Sequence, residues 1–310
     1  ILNPKKSHIC RVKSVVGLEF IEGNEAIARG ALKANCNFFA GYPITPSSSI
    51  LNHMMNKLPR VGGVAIQAED EIASIGMCIG AAMTGAKALT ATSGPGISLY
   101  SENIGLAVIG ETPLVIINVQ RQGPATGAAT KGAEGDILFT RWCTSGGQPM
   151  IVLSPTSVSE AYELTYRAFN LAEKYRVPVF LLTNKEIGVT RESVDLEKVE
   201  LPQLFNRKVS DMGDSYLPYK FKELNEVPDF AEIGGDQITR FTTSSHDEAG
   251  YLTTSPETIQ RMIDHYTAKI EGAEEDIALA KQDIEIGAEI LMISYGITSR
   301  SVSIAVKKMR

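Results

Sequence analysis

Six short runs of apolar residues within the first 185 positions constrain this fold more than any other feature of the chain. They are Asn37 to Ala40, Val64 to Gln67, Ala88 to Thr92, Leu114 to Val119, Met150 to Leu153 and Val179 to Thr183. Each is apolar nearly throughout instead of alternating, which is the pattern of strands buried on both faces of a parallel sheet. Helical patterns separate them. Ser157 followed by Glu160 forms a capping box, hydroxyl and carboxylate each satisfying an orphan backbone N–H. Val158, Ala161, Tyr162, Leu164, Ala168, Phe169 and Ala172 then keep a helical period up to Lys174. Strand-then-helix repetition predicts a doubly wound α/β sheet.

The pattern breaks near residue 190. Residues 191 to 255 are polar, with scattered Pro, Gly and Ser and no sustained period. Ser255 and Pro256 then suit the N-cap and first position of a helix, with Ile259, Met262, Ile263, Tyr266 and Ile270 as its apolar stripe. Glu289 to Ser294 reads as a new strand, followed by Gly296 and a helix from about Ser299. The expected organisation is a sheet domain over 16–190, a connector with one helix over 191–284, and the truncated start of a second α/β domain over 285–310. The first residue is isoleucine, so a trimmed chain is expected.

Several classes are disfavoured. Apolar residues at 44% and charged residues at 21% argue against a disordered chain. A net charge of -6 argues against a nucleic-acid surface. No run approaches the roughly 18 to 20 apolar residues that span a bilayer. Asn3, Lys5, Lys6 and His8 break up any secretory signal. Cys10, Cys36, Cys78 and Cys143 form no CxxC or CxxxC pair, so no zinc or iron–sulfur motif is visible and no metal ligand is assigned. Reduced thiols in a cytoplasmic protein are expected.

Four segments could carry chemistry, and each also has a plainer structural reading. In Gly41 to Ser48 a strand ends and Thr45 is placed to cap a helix that Pro46 begins. Glu69, Asp70 and Glu71 precede a helical stretch and either favour its N-terminus electrostatically or aim one carboxylate into a crevice. Thr90 to Ser98 contains Gly94 and Gly96, which allow close backbone approach. It lacks the third glycine of a dinucleotide fingerprint, and Gly80 to Lys87 is one residue too long for a P-loop. Arg121 closes the fourth strand's run before Gly123 to Gly127, placed for either a surface ion pair or a two-pronged grip on a carboxylate. Together the segments fall at the carboxyl ends of four strands of one sheet, where a pocket forms.

Glu71, Gly80-Ala81, Thr84-Gly85, Thr92 to Gly96 and the strand beginning at Pro113-Leu114 resemble the pyrimidine-binding domain of thiamine-diphosphate enzymes. Gly41 to Ser48, Glu69 to Glu71, Thr90 to Gly96 and Arg121 to Gly127 together resemble more narrowly the α subunit of 2-oxoacid:ferredoxin oxidoreductases, particularly the 2-oxoglutarate type. The likeness is fainter at His246 to Glu248 and Gly250. It resumes at Ile293 to Ser301, similar to the opening of a transketolase-C-terminal-like domain. Ala125 stands where the family often has serine.

The resemblance implies thiamine diphosphate shared with a β subunit that holds Mg²⁺ and a 4Fe–4S cluster, in a heterotetramer or larger assembly. It implies oxidative decarboxylation of a 2-oxoacid to an acyl-CoA, with electrons passing to ferredoxin. Glu71 would serve the pyrimidine nitrogen N1′, with Glu69 as the alternative. Spacing favours Glu71, nine residues before Gly80. Thr45 would join Glu71 as a catalytic residue. Tyr42, Thr45 and Arg121 would contact substrate, and Pro43, Gly94 and Pro95 the cofactor. Alternatives are a pyruvate or branched-chain enzyme, a thiamine decarboxylase without ferredoxin, and a noncatalytic scaffold.

Overall fold

The computed structural model describes residues 17–310. Cys10, Val16 and the polar residues that argue against a secretory signal lie outside that range. In chain order the elements are β1 (Glu19–Glu22), α1 (Gly23–Lys33), β2 (Phe38–Gly41), α2 (Ser48–Lys57), β3 (Val64–Gln67), α3 (Glu71–Met83), β4 (Ala88–Thr92), α4 (Pro95–Leu99), α5 (Ser101–Ile109), β5 (Leu114–Gln120), α6 (Ile137–Arg141), β6 (Ile151–Leu153), α7 (Val158–Tyr175), β7 (Pro178–Asn184), α8 (Lys185–Val189), β8 (Arg191–Val194), α9 (Pro256–Glu271), α10 (Glu274–Ile277) and α11 (Thr298–Met309).

The six apolar runs are the six strands of one parallel sheet, in the order β3-β2-β4-β5-β7-β6. Burial on both faces explains their composition. Along β5, Val115, Ile117 and Val119 pack with Ile27, Met54 and Phe169 of α1, α2 and α7. Leu114 and Ile116 face the other way, onto Ile75 and Ile104 of α3 and α5. An alternating strand could fill only one of these cores.

Because β2 has β3 on one side and β4 on the other, the strand order reverses there. The helix α2 joins the first core and α3 the second. Neighbouring connections thus leave β2 and β4 on opposite faces, opening a crevice beyond their carboxyl ends. β1 and β8 form a separate antiparallel pair, which sequence patterning does not reveal.

Two of the three expected N-caps form, at Ser157 and Ser255, with one difference. Glu160 N donates to Ser157 Oγ, but the Glu160 carboxylate accepts from Thr156 N and Thr156 Oγ1, one residue before the cap. Thr258 N donates to Ser255 Oγ at the start of α9. The apolar stripe of α9 needs correction. Met262, Tyr266 and Ile270 are buried, but Ile263 is exposed, and His265 and Lys269 are buried instead. Both reach the carboxylate of Glu111, and that ion cluster decides which face turns inward.

The aperiodic connector is tied down by buried cations. Arg207 grips the Glu173 carboxylate through two N–H groups and donates to the carbonyls of Ala82 and Ala86. Arg176 donates to the carbonyls of Glu111, Pro228 and Asp229. Backbone acceptors of an irregular segment thereby find partners without secondary structure.

The strand expected over Glu289 to Ser294 is absent. Ile290, Leu291 and Ile293 are exposed and no described strand runs beside them. A lone strand leaves its backbone groups unpaired. The helix after it does form, as α11. No described helix is long and apolar enough to cross a membrane.

Candidate active site

The three consecutive acids at the end of β3 have separate fates. Asp70 caps α3, accepting from Ala73 N at 2.7 Å. Glu69 is exposed. Glu71, the first residue of α3, is only 7% exposed. Its carboxylate turns into the crevice toward Gly96. A Cβ on Gly96 would collide with Thr92 Oγ1 and lie 2.6 Å from Glu71 Oε1. Glycine at 96 therefore lets a carboxylate and a hydroxyl converge at one point beyond β4.

The Gly41 to Ser48 segment forms the opposite wall, but not through the expected cap. Ser47, not Thr45, flanks α2, and Pro46 is outside the helix. Ser47 N and Ser47 Oγ both donate to Ile44 O, at 2.8 and 2.9 Å, so a turn closes before the helix starts. Asn24 Nδ2 donates to Pro46 O at 2.8 Å and holds this turn against α1. Tyr42, Pro43 and Thr45 stand exposed at the rim, while Gly94 and Pro95 are half-buried at the start of α4.

Arg121 is buried and joins two walls of the crevice. It donates through one terminal nitrogen to Thr45 O at 2.7 Å and through the other to Thr126 O at 2.9 Å. No ion pair to it occurs among the described residues, so the surface-pair reading fails. Its Nε is buried without a partner. A Cβ on Gly94, where φ is +48°, would lie 3.0 Å from that Nε. Glycine here serves both backbone conformation and close approach.

Motif reasoning left out a second polar group. Asn118 Nδ2 donates to Asp136 Oδ2 at 2.9 Å, and Asp136 N donates to Gln120 Oε1 at 3.0 Å. These bonds fold the segment after β5 back over the sheet's end. A signal existed: Asn118 and Gln120 interrupt an otherwise apolar strand. Tyr100 carried none. It is fully buried between α4 and α5, its phenol oxygen 2.7 Å from Thr90 Oγ1.

A cavity of about 370 Å³ lies toward the other end of the sheet, lined by Glu111, Tyr219, Phe221, His246, His265 and Tyr266 among others. Its inner polar groups are engaged. His265 pairs with Leu224 O and Glu111, and Tyr266 donates to Ile109 O. The chemistry-bearing segments do not reach it.

Residues 29–265 match the family described as pyruvate flavodoxin/ferredoxin oxidoreductase, thiamine diP-bdg. The chain belongs to this family. Among relatives of this thiamine-binding family, the 2-oxoglutarate synthase subunit KorA of Methanocaldococcus jannaschii is 44% identical over 94% of this chain and 79% of its own length. The 2-oxoacid:ferredoxin oxidoreductase 1 subunit alpha of Sulfurisphaera tokodaii is 36% identical over 89% of this chain and 47% of its own. The 2-oxoglutarate:ferredoxin oxidoreductase of Magnetococcus marinus, solved with 2-oxoglutarate, coenzyme A and succinyl-CoA bound, superposes with a TM-score of 0.85 at 31% identity. That match covers 94% of this chain, which spans 51% of the solved one. The resemblance drawn from the motifs and the α/β fold drawn from the apolar runs are both borne out.

The crevice can take the polar edge of a ligand. Thr92 Oγ1, Ser93 Oγ and Arg121 Nε are all buried there without partners, and buried polar groups left unmatched by protein call for another partner. Among the described residues no cluster of His, Cys, Asp or Glu could hold a metal ion. Cys36, Cys78 and Cys143 are buried and free, and burial pushes the Cys36 thiol up to about 12.

Proposed function

We propose that this chain is the pyrimidine-holding α subunit of a thiamine-diphosphate-dependent 2-oxoglutarate:ferredoxin oxidoreductase. The observation that carries the reading is Glu71, a carboxylate turned into the crevice of a thiamine-binding family fold at its topological switch point. Bound thiamine diphosphate supplies a carbon nucleophile and an electron sink for decarboxylation. Glu71 would hold a proton at the ring nitrogen N1′, and Gly94, Pro95 and Pro43 would border the ring. Thr45 and Tyr42 stand at the rim, where substrate enters. Arg121 would direct its unpartnered Nε edge at a substrate carboxylate while its other N–H groups hold the two rim loops together.

The overall conversion takes 2-oxoglutarate and coenzyme A to succinyl-CoA and CO₂, with two electrons leaving to ferredoxin. A β subunit would hold Mg²⁺, the cofactor's diphosphate and the 4Fe–4S cluster, in a heterotetramer or larger assembly. The cytoplasm is the setting that keeps such thiols reduced. The test is co-purification with the partner subunit, followed by assay of coenzyme A-dependent ferredoxin reduction. Activity with 2-oxoglutarate well above that with pyruvate is expected. A preference for pyruvate, or turnover without added or bound thiamine diphosphate, would refute this reading.

A further inference from the structure

We propose that Thr92 is a positioning residue for Glu71, and that Thr90 and Tyr100 back it in a buried line of hydroxyls. This rests on the reading of Glu71 as the group that meets N1′. Thr90 and Thr92 lie two residues apart on β4, so their side chains leave the same face of the strand. Both are completely buried, as is Tyr100, whose phenol oxygen bonds Thr90 Oγ1 at 2.7 Å. Burial pushes the Tyr100 phenol far up, opposed by its hydrogen bond with Thr90.

Thr92 Oγ1 itself has no hydrogen-bond partner. It is nonetheless directed at the point where Glu71 Oε1 arrives, the position that a Cβ on Gly96 would occupy. A buried hydroxyl without a partner is a standing penalty, and valine would fill the same space at no such penalty. A small closure of the crevice lets Thr92 donate to one oxygen of Glu71. The carboxylate's other oxygen is then left to face the ring nitrogen. Thr90 and Tyr100, bonded to each other, lie behind Thr92 on the same face of β4. Charge-assisted bonds of this kind are stronger than neutral ones.

The experiment is calorimetric binding to the assembled complex of thiamine diphosphate and of its 1′-deaza analogue, which has carbon in place of N1′. Thr92→Val is nearly isosteric and removes only the hydroxyl. It should weaken thiamine diphosphate binding roughly tenfold while leaving analogue binding unchanged. Thr92→Ser should restore near-native affinity, and Tyr100→Phe should show a smaller loss with the same selectivity. Equal loss for both ligands would mean that Thr92 only shapes the pocket, and no loss for either would mean that it is idle; each overturns the proposal. Glu71→Gln separates the two levels. If it discriminates between the ligands as the native chain does, the reading of Glu71 itself falls. If it loses that discrimination while Thr92→Val keeps it, only the Thr92 proposal falls.

Discussion

The two ends of the parallel sheet treat buried polar groups in opposite ways. At the amino end, before β4, β5 and β7, buried charges are matched. Glu111 accepts from Lys269 at 2.5 Å and His265 at 3.2 Å, and Arg207 pairs with Glu173. At the carboxyl end, Thr92 Oγ1, Ser93 Oγ, Thr183 Oγ1 and Arg121 Nε are buried and unmatched. The amino end resembles a finished core with ion pairs in it, and its cavity is lined by engaged groups. The carboxyl end keeps donors and acceptors unmatched in the ligand-free chain, at a standing penalty. Matched charges and unmatched polar atoms are thus concentrated at opposite poles of one sheet.

Substitutions at the two poles should therefore fail differently. Glu71→Gln should lower turnover of the assembled enzyme by roughly 10²- to 10⁴-fold, the scale of a lost proton-transfer group. Its thermal unfolding should match the native chain, and Glu69→Gln should behave as native because Glu69 is exposed. Steady-state kinetics beside thermal melts would show this. A parallel loss of stability in Glu71→Gln would erase the contrast.

Glu111→Gln should do the reverse, costing about 3–5 kcal/mol of stability by stranding buried cations while the folded fraction keeps native kcat/KM. The difference should depend on pH. Burial pushes the Glu111 carboxyl up, but Lys269, His265 and Arg176 outweigh this and hold it well below the usual carboxylate range. A lowered folded-state pKa gives stability that is fully present above the unfolded value, about 4.3, and lost as pH falls. Denaturant titrations of the native chain and Glu111→Gln should differ most near neutrality and converge in acid.

Arg121→Lys tests whether the braced arginine belongs to the reactive pole. A lysine cannot hold Thr45 O and Thr126 O at once with a planar fork. Apparent affinity for 2-oxoglutarate should fall roughly ten- to hundredfold, with a smaller change in thiamine diphosphate affinity. If only 2-oxoglutarate suffers and a monocarboxylic 2-oxoacid does not, Arg121 serves the distal carboxylate. If thiamine affinity carries the whole loss, it is a loop brace. The smallest effect is expected at Ser93→Ala. Removing a buried, unpartnered hydroxyl should raise the stability of the cofactor-free chain by about 1 kcal/mol, as chemical denaturation would show.

Much of the sheet was legible because continuous apolar runs admit few burial schemes. The runs at Leu114 to Val119 and Val179 to Thr183 could be satisfied only between two helical layers, and they became β5 and β7. The same reasoning failed at Glu289 to Ser294, where the residues are apolar but no neighbouring strand pairs with them. It failed again along α9, where an ion cluster turned His265 and Lys269 inward at the expense of Ile263. The motifs located the end of the sheet where buried polar atoms are left unmatched. They did not distinguish the cap, Asp70, from the inward carboxylate, Glu71, by charge alone.

By itself, then, the sequence determined the six strands of the parallel sheet and four segments that gather at their carboxyl ends, because hydrophobic period and turn chemistry are local properties. The tertiary structure decided which polar atoms are matched and which are not. Arg121 could be assigned to the carbonyls of Thr45 and Thr126 only when residues 76 and 5 positions away were brought beside it. Thr92 and Glu71 converged only when α3, β4 and α4 met at Gly96. Hydrogen-bond satisfaction depends on distances of a few ångströms between segments remote in sequence, and no local pattern encodes it.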